Sequence, residues 1–107
     1  MLAENPIFLV STRPHFKWSA NVKKMYEYKC AIQNKRVSRL HAHHLFSKKG
    51  FPALQFYPLN GIPIALKFHV DFHSQYGFTT TVDDFISYIE TLEKTSSRDL
   101  SSVHLND

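Results

Sequence analysis

His69 and His73 stand four residues apart, and so do Phe68 and Phe72. On an α-helix each pair falls on one face, with Cβ atoms about 6 Å apart. The phenylalanine pair would anchor such a helix in a core. The histidine pair would then look in a different direction. Packing fixes the rotation of the helix, and both imidazoles are delivered to one place. That spacing suits a single metal ion held from one helix.

A staple of this kind matters in a chain of 107 residues, which has room for one small domain. Nine Phe, five Tyr and one Trp supply bulky core material, and 43% hydrophobic with 21% charged residues suits a folded chain. A core of this size is still marginal without a metal or a cross-link. Cys30 stands alone, so no internal disulfide forms and a four-cysteine zinc site is excluded. The N-terminus carries no basic stretch followed by an apolar one, and no apolar run approaches the ~20 residues of a membrane span. The expectation is a soluble intracellular protein.

Pro6 and Pro14 break up residues 1–17, which read as an irregular lead-in. Residues 18–26 predict a short helix, with Ser19 as N-cap and Val22, Met25 and Tyr26 on one face. Residues 30–36 read as a turn between two short extended pieces. Alternation predicts a strand over 37–45, with Leu40 and Ala42 on one side and Arg39, His41 and His43 on the other. A loop over 46–59 follows, with Phe56 and Tyr57 read as core. Asn60-Gly61 is a turn signal before a second strand, 62–65. A helix over 66–75 ends at Tyr76-Gly77. A last helix over 82–94 starts at a Thr81/Asp84 capping pair and carries Val82, Phe85, Ile86, Ile89 and Leu92 as its stripe. The tail from Thr95 is polar and reads as disordered.

Five of the seven histidines lie between His41 and His73. Neighbouring strand residues point to opposite sides, so the doublet His43-His44 divides its imidazoles. One can face the helix and complete a three-histidine metal site. The other stays unligated, and a free imidazole beside a metal suits a general base. Between Tyr28 and Val70 there is no Asp or Glu, which disfavours hydrolases built on clustered carboxylates. An all-imidazole set favours zinc, nickel, cobalt or manganese on affinity, while magnesium can serve where phosphate adds oxygens.

Charge points to a polyanionic partner. Residues 1–70 carry +9 and residues 71–107 carry −5. Lys48 and Lys49, after the doublet, are candidate phosphate contacts, as are Lys35, Arg36 and Arg39.

Leu40-His-Ala-His-His-Leu45 followed by Asn60-Gly-Ile-Pro-Ile-Ala-Leu-Lys-Phe-His-Val-Asp-Phe-His73 resembles the HNH endonuclease motif of the ββα-metal (His-Me finger) superfamily, with signature positions on His44, Asn60 and His69. The surrounding residues 18–92 resemble intron-encoded and phage-type homing endonucleases. The resemblance implies an α+β domain over 18–94, a small ββα-metal unit with flanking helices. It implies a metal-dependent DNA endonuclease or nickase of a bacterial or phage cytoplasm or a plastid. It implies His43, His69 and His73 as ligands of one divalent ion (Zn, Mg, Mn or Ni), His44 as general base, and Asn60 as the residue that closes the hairpin and steadies the base-bearing loop.

This chain departs from many such enzymes at the two Cys-x-x-Cys pairs that hold a structural zinc. Here the positions read Cys30-Ala-Ile-Gln33 and Ala65-Leu-Lys-Phe68. Three of four ligands are gone, so no structural zinc is expected there. Cys30 reads as a core thiol, and Ala65 and Phe68 as apolar packing. Two other functions fit the sequence less fully: a metal-stapled nucleic-acid-binding module without activity, and an interaction domain with incidental histidines.

Overall fold

The computed structural model describes residues 13–103 and has an α+β architecture. Helix α1 (Pro14–Met25) is followed by strand β1 (Leu40–His44), short 3-10 turns at Pro52–Leu54 and Pro58–Asn60, strand β2 (Gly61–Ala65), helix α2 (Leu66–Tyr76) and helix α3 (Val82–Val103). The two strands pair antiparallel, with Leu40 opposite Ala65, His43 opposite Ile62 and His44 opposite Gly61.

Helix α1 begins at the residue read as a breaker. Pro14 takes the first helical position, where its fixed φ fits and its missing N–H costs nothing, and Arg13 is the N-cap. Ser19 therefore lies inside the helix and caps nothing. The irregular lead-in ends earlier than expected, and its residues 1–12 lie outside the described part. Trp18 and Val22, one turn apart, are the buried face. Met25 and Tyr26, expected beside them, are exposed at the helix end.

The segment after α1 turns back through an isolated bridge between Cys30 and Lys35. Asn34, in that turn, takes a left-handed φ of 55°, which Asn tolerates better than most residues. Strand β1 starts at Leu40, not at Val37. Its partner ends at Ala65, and the next amide, Leu66 N, already begins α2 while donating to the Arg39 carbonyl at 2.9 Å.

Cys30, Ile64, Ala65, Phe72, Phe85 and Tyr88 form the core. The Cys30 thiol accepts the Ala65 amide at 3.4 Å, and Phe68 packs against the cluster. Cys30, Ala65 and Phe68 are thus taken up in apolar packing, as expected. The Thr81/Asp84 capping pair forms as expected, Thr81 N donating to Asp84 Oδ2 at 3.0 Å. On α3 the inward stripe is Phe85, Tyr88, Ile89 and Leu92. Ile86 points out, 48% exposed, and Tyr88 takes the inward place. The α3 backbone continues to Val103, past the expected end at 94 and through the first part of the expected tail; no Pro or Gly interrupts it. Residues 104–107 lie outside the described part. No helix of the described residues is long and apolar enough to cross a membrane.

Candidate metal centre

His43 comes from the next-to-last position of β1, and His69 and His73 from α2. One ring nitrogen from each lies within 4.8 Å of the others. The His69 and His73 centroids stand 5.3 and 5.5 Å from that of His43, and 4.8 Å from each other. The three imidazoles expected to share an ion are brought together.

The rings are aimed as well as gathered. His73 Nδ1 lies 2.7 Å from the Gly77 carbonyl, which can only accept. The proton therefore sits on Nδ1, and the Nε2 lone pair faces His69. Such a carbonyl partner on the far nitrogen is the usual orienting device for a metal-ligating histidine. The two Nε2 atoms are 3.2 Å apart. Two nitrogens each about 2.0–2.1 Å from one zinc ion in a tetrahedral shell stand about 3.3 Å apart. A single proton or a cation fits between them.

His43 is fully buried, wedged against Phe72 and Phe85 at centroid distances of 4.9 Å. Neither of its ring nitrogens has a hydrogen-bond partner among the described residues. A buried donor or acceptor left unpaired costs about 1–3 kcal/mol, and a cation at this point would satisfy one nitrogen. Burial, with the neighbouring histidines adding to it, lowers His43 to about 3 and His69 to about 4. Both rings are neutral at physiological pH, the form that can bind a metal. The donor set fits a divalent transition metal.

His44 faces the other way, as the alternation of the strand requires. Its Nε2 lies 2.9 Å from the Gln55 carbonyl, so that nitrogen carries the proton and Nδ1 keeps its lone pair. The Trp18 indole stacks on it at 3.9 Å and 9°. Trp18 is itself fixed by a 2.9 Å bond from Nε1 to the Tyr57 carbonyl. Burial lowers the His44 pKa; the Gln55 bond opposes this, while Lys48, His15 and His73 add to the lowering.

Asn60 shares no hydrogen bond with His44 among the described residues. Its Oδ1 accepts the Phe46 amide at 2.7 Å, and its Nδ2 donates to the Phe46 and Leu54 carbonyls at 2.9 and 3.1 Å. It ties the two ends of the 46–60 loop, the loop that carries Gln55. Ser47, also buried, pins the start of the loop to Thr80 through Thr80 N to Oγ at 3.0 Å.

A cleft of about 640 Å³ opens over this site, lined by His44, His69 and His73, with Lys48 and Lys49 on its rim. His41 is exposed and lines the same cleft. Lys35, Arg36 and Arg39 are elsewhere, around a second cleft. Phe56 and Tyr57, expected in the core, are 45% and 54% exposed. Sequence reasoning assigns no site role to Trp18, Gln55 or Phe78. Gln55 acts through a backbone carbonyl, which leaves no trace in residue type. Phe78, exposed and stacked on His73 at 4.9 Å, is unremarkable in sequence.

Comparison with protein-family models, with curated proteins and with solved structures gives no match.

Proposed function

We propose that this chain is a metal-dependent endonuclease or nickase of the HNH type, hydrolysing DNA phosphodiester bonds. The observation that carries the reading is the division of the His43-His44 doublet. One ring joins two helix imidazoles, while its neighbour is clamped with a free lone pair. The succession β1, β2, α2 is the order a ββα-metal unit requires, and the motif resemblance in sequence supports the same reading.

A divalent ion on His43, His69 and His73 would supply Lewis acidity to a phosphate oxygen and to the departing 3′ oxygen. His44 Nδ1 takes the proton from a water as its oxygen attacks phosphorus and the P–O3′ bond breaks. The positive charge then on the ring is stabilised through Nε2–H to the Gln55 carbonyl. Trp18 holds the ring plane, and Asn60 holds the loop that presents Gln55. Lys48 and Lys49 meet the flanking phosphates, a contact that sets affinity and not base choice.

A supercoiled-plasmid nicking assay over a panel of zinc, nickel, cobalt, manganese and magnesium tests this. Nicking that is lost in chelator and in His44→Ala is expected. Saturable metal binding with no nicking under any metal sinks the enzyme and leaves a metal-stapled module.

A further inference from the structure

The second cleft has a volume of about 890 Å³ and opens between residues 33–39 and one face of α2. Lys35, Arg36, Arg39 and Lys67 line it, and all four are exposed. None of them is ion-paired among the described residues. Asp71 is the one carboxylate on its wall, and both its oxygens are engaged: Tyr88 Oη donates to one at 2.8 Å and Gln75 Nε2 to the other at 3.2 Å.

Four like charges around one cavity repel one another, and here the backbone fixes two of their carriers. Lys35 is held by the bridge to Cys30, and Arg39 by its carbonyl bond from Leu66 N. The start of α2 forms part of the same wall, with no acidic residue in its first turn and no side chain capping it. Its N–H groups add positive potential to that of the side chains. Gln33 also lines the cleft, with a buried Oε1 that has no partner among the described residues.

The cleft shares no lining residue with the histidine cleft. On α2 its residues Lys67, Val70, Asp71 and Ser74 follow one stripe, and His69 and His73 follow another. The cations are spread over two walls and all stay in solvent. A small phosphate compound is gripped by converging, buried donors. A polymer with many phosphates needs only a row of exposed ones.

We propose that this cleft is a second binding site, for the sugar–phosphate backbone of a nucleic acid, separate from the histidine cleft. The choice of nucleic acid as the polyanion rests on the function proposed above; the separateness of the site does not. A substrate strand cut at the histidines is held on this other face without regard to sequence.

Anisotropy of a labelled DNA duplex, titrated in chelator over a salt series, tests the site without metal or cleavage. The triple variant Lys35→Ala/Arg36→Ala/Arg39→Ala is expected to bind at least tenfold more weakly, with the log–log salt slope reduced by about two to three, at about 0.9 per phosphate contact. Lys67→Glu, on the opposite wall, is expected to weaken binding as well. A control triple, Lys24→Ala/Lys29→Ala/Lys94→Ala, removes the same charge elsewhere and is expected to bind nearly as tightly as the parent. Equal weakening in both triples overturns the proposal in favour of overall charge. Competition by millimolar inorganic phosphate that matches competition by unlabelled duplex overturns it in favour of a small anion. Circular dichroism confirms that the exposed substitutions leave the fold intact. A protein that binds duplex through this cleft and nicks nothing keeps the cleft and loses the nuclease.

Discussion

The indole of Trp18 lies flat on the imidazole of His44, with centroids 3.9 Å apart and planes 9° from parallel. One ring comes from the first helix and the other from the end of the first strand. Between the indole and the Gln55 carbonyl, His44 has one orientation and one tautomer. Trp18→Phe keeps an aromatic face but loses the bond from Nε1 to the Tyr57 carbonyl. We expect about 1 kcal/mol of lost stability, cleavage slowed about tenfold, and unchanged metal affinity. Nicking rates beside a metal titration check it; a fall in metal affinity would show that Trp18 serves the ligands and not His44.

At His43 the stability of the metal-free protein works against the proposed metal site. Its buried imidazole has no partner among the described residues, so replacing it with an apolar side chain of similar size removes an unpaired polar group. His43→Leu is expected to leave the metal-free protein as stable as the parent or more so. The parent should gain about 2.7 kcal/mol at a metal concentration a hundred times Kd, and His43→Leu should gain nothing. Thermal melts with metal and with chelator read both effects.

Acid should act on the metal-free protein through the same rings. Burial lowers His43 to about 3 and His69 to about 4, against an unfolded value near 6.5. Below pH 6.5 the unfolded chain binds more protons than the folded one. Stability is therefore full above that pH and falls as pH drops toward 4. Urea midpoints in chelator should decline over this window, and His43→Leu should decline less. A midpoint flat from pH 7 to 4.5 is the opposite outcome.

Asn60 contributes three bonds within one loop, two to Phe46 at its start and one to Leu54 inside it. Asn60→Ala leaves the Phe46 and Leu54 backbone groups without those partners. A loss of about 2–3 kcal/mol is expected, with faster amide exchange over residues 46–55 and slower nicking. Exchange measured by mass spectrometry separates this from a global loss of structure, in which all regions would speed up together.

Gly61→Ala tests a misread signal. Asn60-Gly61 looks like a tight hairpin turn, yet Gly61 is extended, with φ −135°. Here glycine is a matter of space. A Cβ there would stand 2.7 Å from Trp18 Cζ2 and closer still to Val22. The substitution must push α1 away from β2, and we expect reduced stability together with a disturbed Trp18 emission spectrum.

The geometry of the histidine cluster was legible because it follows from period alone. A four-residue step on a helix and a one-residue step on a strand determine where His69, His73, His43 and His44 point, whatever the rest of the chain does. Pro14 and Ile86 were misread because their roles depend on tertiary context: Pro14 starts a helix only because Trp18 and Val22 need one, and Ile86 yields the inward position to Tyr88. Gln55 was invisible because a backbone carbonyl belongs to every residue. The basic residues at 35–39 were legible as cations but not as a cleft apart from the histidines, since only the fold places Lys67 across from them.

Zinc titration calorimetry on the parent chain and on His43→Ala, His69→Ala and His73→Ala asks whether three imidazoles share one ion. One ion per parent chain, with binding reduced at least tenfold by each substitution, is the expected result. Saturable binding that survives the loss of His43, or none in the parent, is incompatible with the site described.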